Sequence, residues 1–217
     1  MLSYNYRIQK LGGQLSGVGF SEANFSKLEE SGQDGVLALV IDFPSRNSDA
    51  CPLCVKALFD LLLEEYLSND DKLPKEAFTL ALKSALAKMT FLAKDLGGYN
   101  LIAVLFSKNE VYFERIGDPG IFLVNGSRKL SLVSGSSLCD KDLVLIGTPE
   151  LVKKYLQKNA WQGLSELEKD LKSDKDLSLM CALVVEFSSS ETVAVSSKGN
   201  CIKNFLKRIF KKVSRLQ

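Results

Sequence analysis

The sequence predicts an α+β protein built on antiparallel sheets. Apolar runs of strand length come in groups, separated by two pairs of helical segments, so strands and helices do not alternate singly. Turn-forming dipeptides join consecutive runs, as hairpins require. The chain has 217 residues, 46% hydrophobic and 25% charged, which is ample for a packed core.

The first forty residues alternate short apolar stretches with Gly and Ser, a pattern of strands and turns with breaks at Gly12-Gly13 and Ser31-Gly32. Residues 36–41 are uninterrupted apolar side chains, so this strand is expected to be buried on both faces and to end at a lone carboxylate, Asp42. A first helix, capped by Ser48 or Asp49, runs to about Leu67 with Val55, Leu58, Phe59, Leu62 and Leu63 at helical spacing. A second starts at Pro74, a favoured first helical residue, and runs to about Asp95, carrying Phe78, Ala81, Leu82, Ala85 and Met89.

Strands follow at Leu101–Phe106, Glu110–Arg115, Gly120–Val124, Leu130–Val133 and Leu143–Gly147. Lys108-Asn109 and Asn125-Gly126 mark hairpin turns. Two shorter helices, about Pro149–Gln157 and Leu164–Leu171, precede a last core strand, Leu179–Phe187, and a Ser-rich loop. The domain reading is a folded unit over 1–188, a linker over 189–199 and a tail over 200–217.

Composition excludes several chemistries. There is no histidine, so a His triad, a His general base and a His-ligated zinc site are all absent. No apolar run is long enough to cross a bilayer and no secretory leader opens the chain, and five irregularly spaced cysteines fit a reducing cytoplasm. Seven of the 28 Lys and Arg lie between Lys198 and Gln217, where there is no Asp or Glu. The net charge of +2 therefore leaves −5 on the rest of the chain, and nucleic-acid binding by the folded body is not expected.

Three stretches carry a family likeness. Gly98-Tyr99-Asn100 leads into an apolar strand, a hairpin returns through Val111–Ile116, and Gly117-Asp118-Pro119 precedes Phe122-Leu123-Val124-Asn125-Gly126. The strand over residues 35–42 ends in an Asp, and Thr148-Pro149-Glu150-Leu151 opens a helix. With this element order, the chain resembles the PP2C (PPM-type) metal-dependent serine/threonine phosphatases over residues 10–187. The resemblance implies a four-layer α-β-β-α sandwich of two antiparallel sheets flanked by helix pairs, here with an added C-terminal amphipathic helix. It also implies two divalent cations held by Asp and Glu, with a metal-bound water attacking phosphate.

Matched residue by residue, the metal set is depleted. Ser21 stands for the family's phosphate-clamping Arg, and Phe25 and Ser26 stand for its two acids. Asp42 is kept, but the following Gly is Phe43. Pro149 and Lys175 replace two further metal Asp residues. Asp42 and Asp118 are the residual metal candidates, and Glu150 and Asp176 each lie one position from a lost ligand. The resemblance thus implies a pseudophosphatase, a binding or regulatory module for a phosphoprotein or other protein partner, with no cofactor. The alternative is an active, diverged phosphatase using Mg²⁺ or Mn²⁺.

Two other features have a bland and a sharp reading. Cys51-Pro-Leu-Cys54 at a helix start fits a redox pair or, more simply, small buried thiols. In the tail, Ile202, Phe205, Leu206, Ile209, Phe210 and Val213 share one helical face, opposite Lys203, Lys207, Arg208, Lys211, Lys212 and Arg215. Such a helix suits an anionic membrane surface or an acidic partner groove, or it docks on its own domain. The expected location is cytoplasmic, peripheral at a membrane if the tail meets lipid.

Overall fold

The computed structural model describes residues 2–12, 19–29, 35–44, 50–93, 98–125, 128–155, 169 and 181–191. The chain begins with strands β1 (Leu2–Gly12), β2 (Phe20–Lys27) and β3 (Gly35–Phe43). Helices α1 (Ala50–Leu67) and α2 (Pro74–Ala93) follow. Next come β4 (Asn100–Ser107), β5 (Glu110–Ile116), β6 (Gly120–Asn125), β7 (Arg128–Ser131), β8 (Ser136–Ser137) and β9 (Leu143–Gly147). Helix α3 (Pro149–Tyr155) and strand β10 (Cys181–Glu191) complete the order.

The strands form two five-stranded sheets, β1-β10-β9-β6-β7 and β2-β3-β4-β5-β8, and every recorded pairing is antiparallel. The expected α+β sandwich is what the chain adopts. Alternation along β3 shows how the layers are made. Val36, Ala38 and Val40 point between the sheets, where they meet Ile102, Val104, Ile146, Leu183 and Val185. Leu37, Leu39, Ile41 and Phe43 point the other way, under α1 and α2, onto Val55, Leu62, Phe78 and Ala85. Both faces of this strand are buried, as its unbroken apolar run predicts. On the far side, Leu151 of α3 packs on Leu143, Leu145, Ala182 and Val184, so helices cover both outer faces.

Local chemistry explains the element ends. Pro74 opens α2, where its missing N–H costs nothing, and the Ala77 N–H donates to the Leu73 carbonyl at 2.9 Å. Lys108, at φ 54, and Asn109 turn β4 into β5 with Ser107 opposite Glu110. Gly35 starts β3 at φ +156, and a Cβ there would lie 2.3 Å from the Phe106 carbonyl oxygen of the adjacent strand. Lys88 of α2 bonds Glu65 of α1, tying the helix pair together.

The C-terminal end of the body departs from expectation. The last strand does not stop at Phe187 with a Ser-rich loop beyond it. Ser188–Glu191 continue in the sheet, because β1 supplies ladder partners: Asn5↔Ser188, Tyr4↔Ser189, Ser3↔Ser190 and Leu2↔Glu191. The Asp140 carboxylate also accepts the Ser189 N–H at 3.1 Å. The folded unit therefore runs past 188, and the expected linker loses its first three residues to the sheet. Except for Lys169, which is helical, the expected helix over 164–171 lies outside the described residues, as do Lys175, Asp176 and the basic tail. No described helix is long and apolar enough to cross a membrane.

Candidate functional site

Asp42 is the polar end of an otherwise apolar strand. Register places Ser21 of β2 on one side of it and Asn100 of β4 on the other. Strand alternation puts Ser21, Asp42 and Asn100 on the face shared with Ala23, Val40 and Ile102, the one turned toward the second sheet. Ser21 is 3% and Asp42 8% exposed, so both are desolvated.

Asn100 organises this pole. Its Nδ2 donates to Asp42 Oδ2 at 3.1 Å, and its Oδ1 accepts the Asp118 N–H at 3.4 Å. The turn that brings Asp118 there needs Gly117, whose φ is +74 and whose Cβ, if present, would lie 2.1 Å from Asn100 Oδ1. Asn100 thus ties the end of β3 to the turn after β5. In the sequence Asn100 only leads into an apolar strand and carries no mark of a site residue. Its role depends on lying opposite Asp42, a long-range register that spacing does not reveal.

The facing sheet contributes Thr148 and Cys181. The Thr148 N–H donates to the Cys181 carbonyl at 3.1 Å, extending the β9–β10 ladder by one step. Cys181 packs in the core between the sheets, and Thr148, opposite it, shares that face. Lys10 of β1 reaches across to Glu22 of β2 at 3.5 Å, linking the two sheets at this pole.

Electrostatics here are unfavourable to free charge. Burial pushes the Asp42 carboxyl up, the Asn100 hydrogen bond pulls it down, and the charge of Glu150 at the start of α3 pushes it up again. Burial drives the Cys181 thiol up to about 12; Lys10 lowers it, while Glu22 and Asp42 raise it. Cys181 is therefore an inert thiol, not a nucleophile. Two buried side-chain atoms among the described residues, Ser21 Oγ and Thr148 Oγ1, have no hydrogen-bond partner, and both belong to this pole.

The remaining candidates do not all converge. Phe25 and Ser26 pair with Ala38 and Leu37, several positions down the ladder from Asp42. At about 3.3 Å per residue they lie more than about 10 Å from it. The β2 residues at the level of Asp42 are Ser21 and Glu22. Phe43 turns away from the pole and packs against Phe20 and Tyr99, with ring centroids 6.4 and 6.1 Å apart. Pro149 is the first residue of α3, and Asp118 is exposed. Cys51 is buried in the core under α1. Burial and then Cys51 itself raise the Cys54 thiol, the reverse of redox activation.

A pair of hard divalent cations needs six or more oxygens around each, several of them carboxylates. Among the described residues no group of three or more Cys, Asp or Glu converges in that way. One buried carboxylate with two neutral hydroxyls does not fit a dinuclear centre.

No protein-family model matches the sequence, and no curated protein matches it. Solved structures do. The PP2C phosphatase domain with a regulatory fragment of the cell fate determinant SpoIIE, from Bacillus subtilis, superposes with a TM-score of 0.63 at 13% identity, over 88% of this chain and 65% of that one. The chain has the PP2C phosphatase fold. PppA of Pseudomonas aeruginosa, a key regulatory component of T6SS, gives 0.57 at 13% identity over 87% and 98% of the two chains. RsbX in complex with magnesium gives 0.56 at 14% over 85% and 96%. At such identities the likeness to these PP2C-type domains is one of architecture, and the site must be judged on its own residues.

Proposed function

We propose that this PP2C-fold protein is a pseudophosphatase, a binding or regulatory module that has given up dinuclear metal chemistry. The observation that carries this reading is the pole around Asp42. One buried carboxylate faces neutral Ser21, Asn100 and Thr148 where a metal pair would need several acids. Lys175 and Pro149, at positions where the PP2C resemblance expects metal Asp residues, support the same reading. Neighbours of this architecture include a cell fate determinant and a regulatory component of a secretion system, which supports a phosphoprotein or regulatory protein as the partner class. The segment over 200–217, joined through a linker ending near 199, is the proposed attachment to that partner or to an anionic surface. Its basic residues Lys203, Lys207, Arg208, Lys211 and Lys212 flank Phe205 and Phe210.

One observation favours the alternative, an active enzyme on rebuilt ligands: the charge of Glu150 reaches Asp42. Hydrolysis of a phosphopeptide with and without millimolar Mn²⁺ or Mg²⁺, beside Asp42→Ala, separates the two. The pseudophosphatase gives no turnover in either protein under any metal. Metal-dependent turnover that vanishes in Asp42→Ala overturns it.

A further inference from the structure

The last strand changes character at Phe187. From Cys181 to Phe187 its residues are buried, Glu186 excepted, with β9 paired along Ala182–Glu186 and β1 along the other side. Beyond Phe187 come three successive serines, Ser188 exposed and Ser189 half-buried, and then Glu191. These four residues continue the ladder with Leu2–Asn5.

The flank toward β9 changes at the same point. The Phe187 N–H donates to the Asp142 carbonyl and the Lys141 N–H to the Phe187 carbonyl, both at 2.9 Å, so backbone still meets backbone. Two residues on, the Ser189 N–H donates to the Asp140 carboxylate at 3.1 Å. A side chain has taken the place of a strand. Alternation turns the N–H groups of Ser188 and Ser190 toward β1, opposite Asn5 and Ser3.

The turn that carries Asp140 is itself held. The Cys139 N–H donates to Asp142 Oδ2 at 2.7 Å, and the Leu138 N–H to the Asn109 carbonyl at 2.6 Å. Tyr4, opposite Ser189, leans back onto Phe187 with ring centroids 6.0 Å apart, so β1 keeps its own anchor here. The post and the bed are fixed, and the strand end laid between them is the part that can move. Ordering a residue costs backbone entropy, which Ala182–Phe187 offset with buried apolar side chains. Ser188–Ser190 have no apolar side chain to bury, and a ribbon held by hydrogen bonds is marginal in water.

We infer that Ser188–Glu191 form a detachable strand end fastened by Asp140, so that the chain beyond leaves the body in either of two ways. Fastened, it departs at Glu191. Detached, it departs at Phe187 and gains four residues of reach, about 13 Å. The device is independent of the pseudophosphatase reading. Its use, a tether of two lengths, rests on the proposed attachment through 200–217.

Amide hydrogen exchange of the full chain, followed by NMR across low denaturant concentrations, tests the device. Ser188 and Ser190 should exchange at least about 100-fold faster than Val184, by an opening that denaturant barely accelerates. Asp140→Ala should speed Ser188 and Ser190 by about tenfold more, with Val184 unchanged and Tm within about 1 °C of the native value. Equal protection at Ser190 and Val184, or exchange at Ser190 that follows global unfolding, overturns the device. So does a folded Asp140→Ala chain in which Ser188 and Ser190 exchange as in the native protein. Should that variant fail to fold, the comparison within the native chain decides alone. Metal-dependent phosphopeptide turnover would overturn the pseudophosphatase reading and leave this result untouched.

Discussion

At the scale of single residues, the pole is governed by Asp42 and the amide that holds it. Because burial raises this carboxyl, the folded chain binds its proton more tightly than the unfolded chain does. The contribution of Asp42 to stability is then fully present below its unfolded pKa and is lost as pH rises through the folded value. Asp142, also buried and raised, has the same sign. In Asp42→Asn at neutral pH, unfolding by denaturant should occur at an equal or higher midpoint, with a flatter pH dependence across the acid range. A large loss of stability would contradict the desolvation argument. Asn100→Ala removes the one described donor to a buried carboxylate and frees the Gly117-Asp118 turn, so it should cost about 1–3 kcal/mol by the same measurement. Gly117→Ala should cost about 1–2 kcal/mol, since it combines a left-handed backbone with a clash on Asn100. Asp42 was legible from sequence, as the acid that ends the apolar run 36–41. Ser21 was legible only as a family position, and Asn100 was not, because its role depends on a neighbour far away in the chain.

At the scale of elements, helices α1 and α2 and strands β4 to β6 could be read almost residue by residue, while β7 was expected at Leu130–Val133 and lies at Arg128–Ser131. Their periodicity, Pro74 and the two hairpin turns are local signals. The failures are non-local. The polar run Ser188–Ser190 reads as a loop, yet an 11-residue β1 holds it in the sheet through β1–β10 pairing. Strand β8 has only two residues, too short for any pattern. Tyr6 joins β1 to the core: its ring packs at a tilt against Phe106 and Phe187, and its hydroxyl donates to the Lys108 carbonyl. Tyr6→Ala should therefore cost about 3–5 kcal/mol in chemical unfolding, far more than an average edge-strand change. Gly35→Ala should cost about 2 kcal/mol or more, since neither β3 nor β4 can retreat from a contact with the Phe106 carbonyl without breaking ladder bonds.

At the scale of the whole molecule, architecture and chemistry part company. The sandwich follows from apolar patterning, so it holds whatever polar residues stand at the Asp42 pole, provided Val40, Ile102 and their neighbours stay apolar. Of the site, the sequence shows Asp42 and the positions the PP2C resemblance marks; the grouping of Asp42 with Ser21 and Asn100 comes from strand register. If the segment over 198–217 serves attachment alone, deleting it should leave Tm within about 1 °C and abolish co-sedimentation with anionic vesicles or with the partner. A large drop in Tm would instead show that it covers the domain.

The β1–β10 pairing also sets an orientation. Strand β10 begins at the Asp42 pole with Cys181 and ends at Glu191, ten steps further on, beside Leu2. At about 3.3 Å per step the two ends are roughly 33 Å apart. If the chain beyond Glu191 attaches to a partner, as proposed, the attachment leaves the body at the end of β10 remote from Asp42 and keeps the polar pole free to face outward.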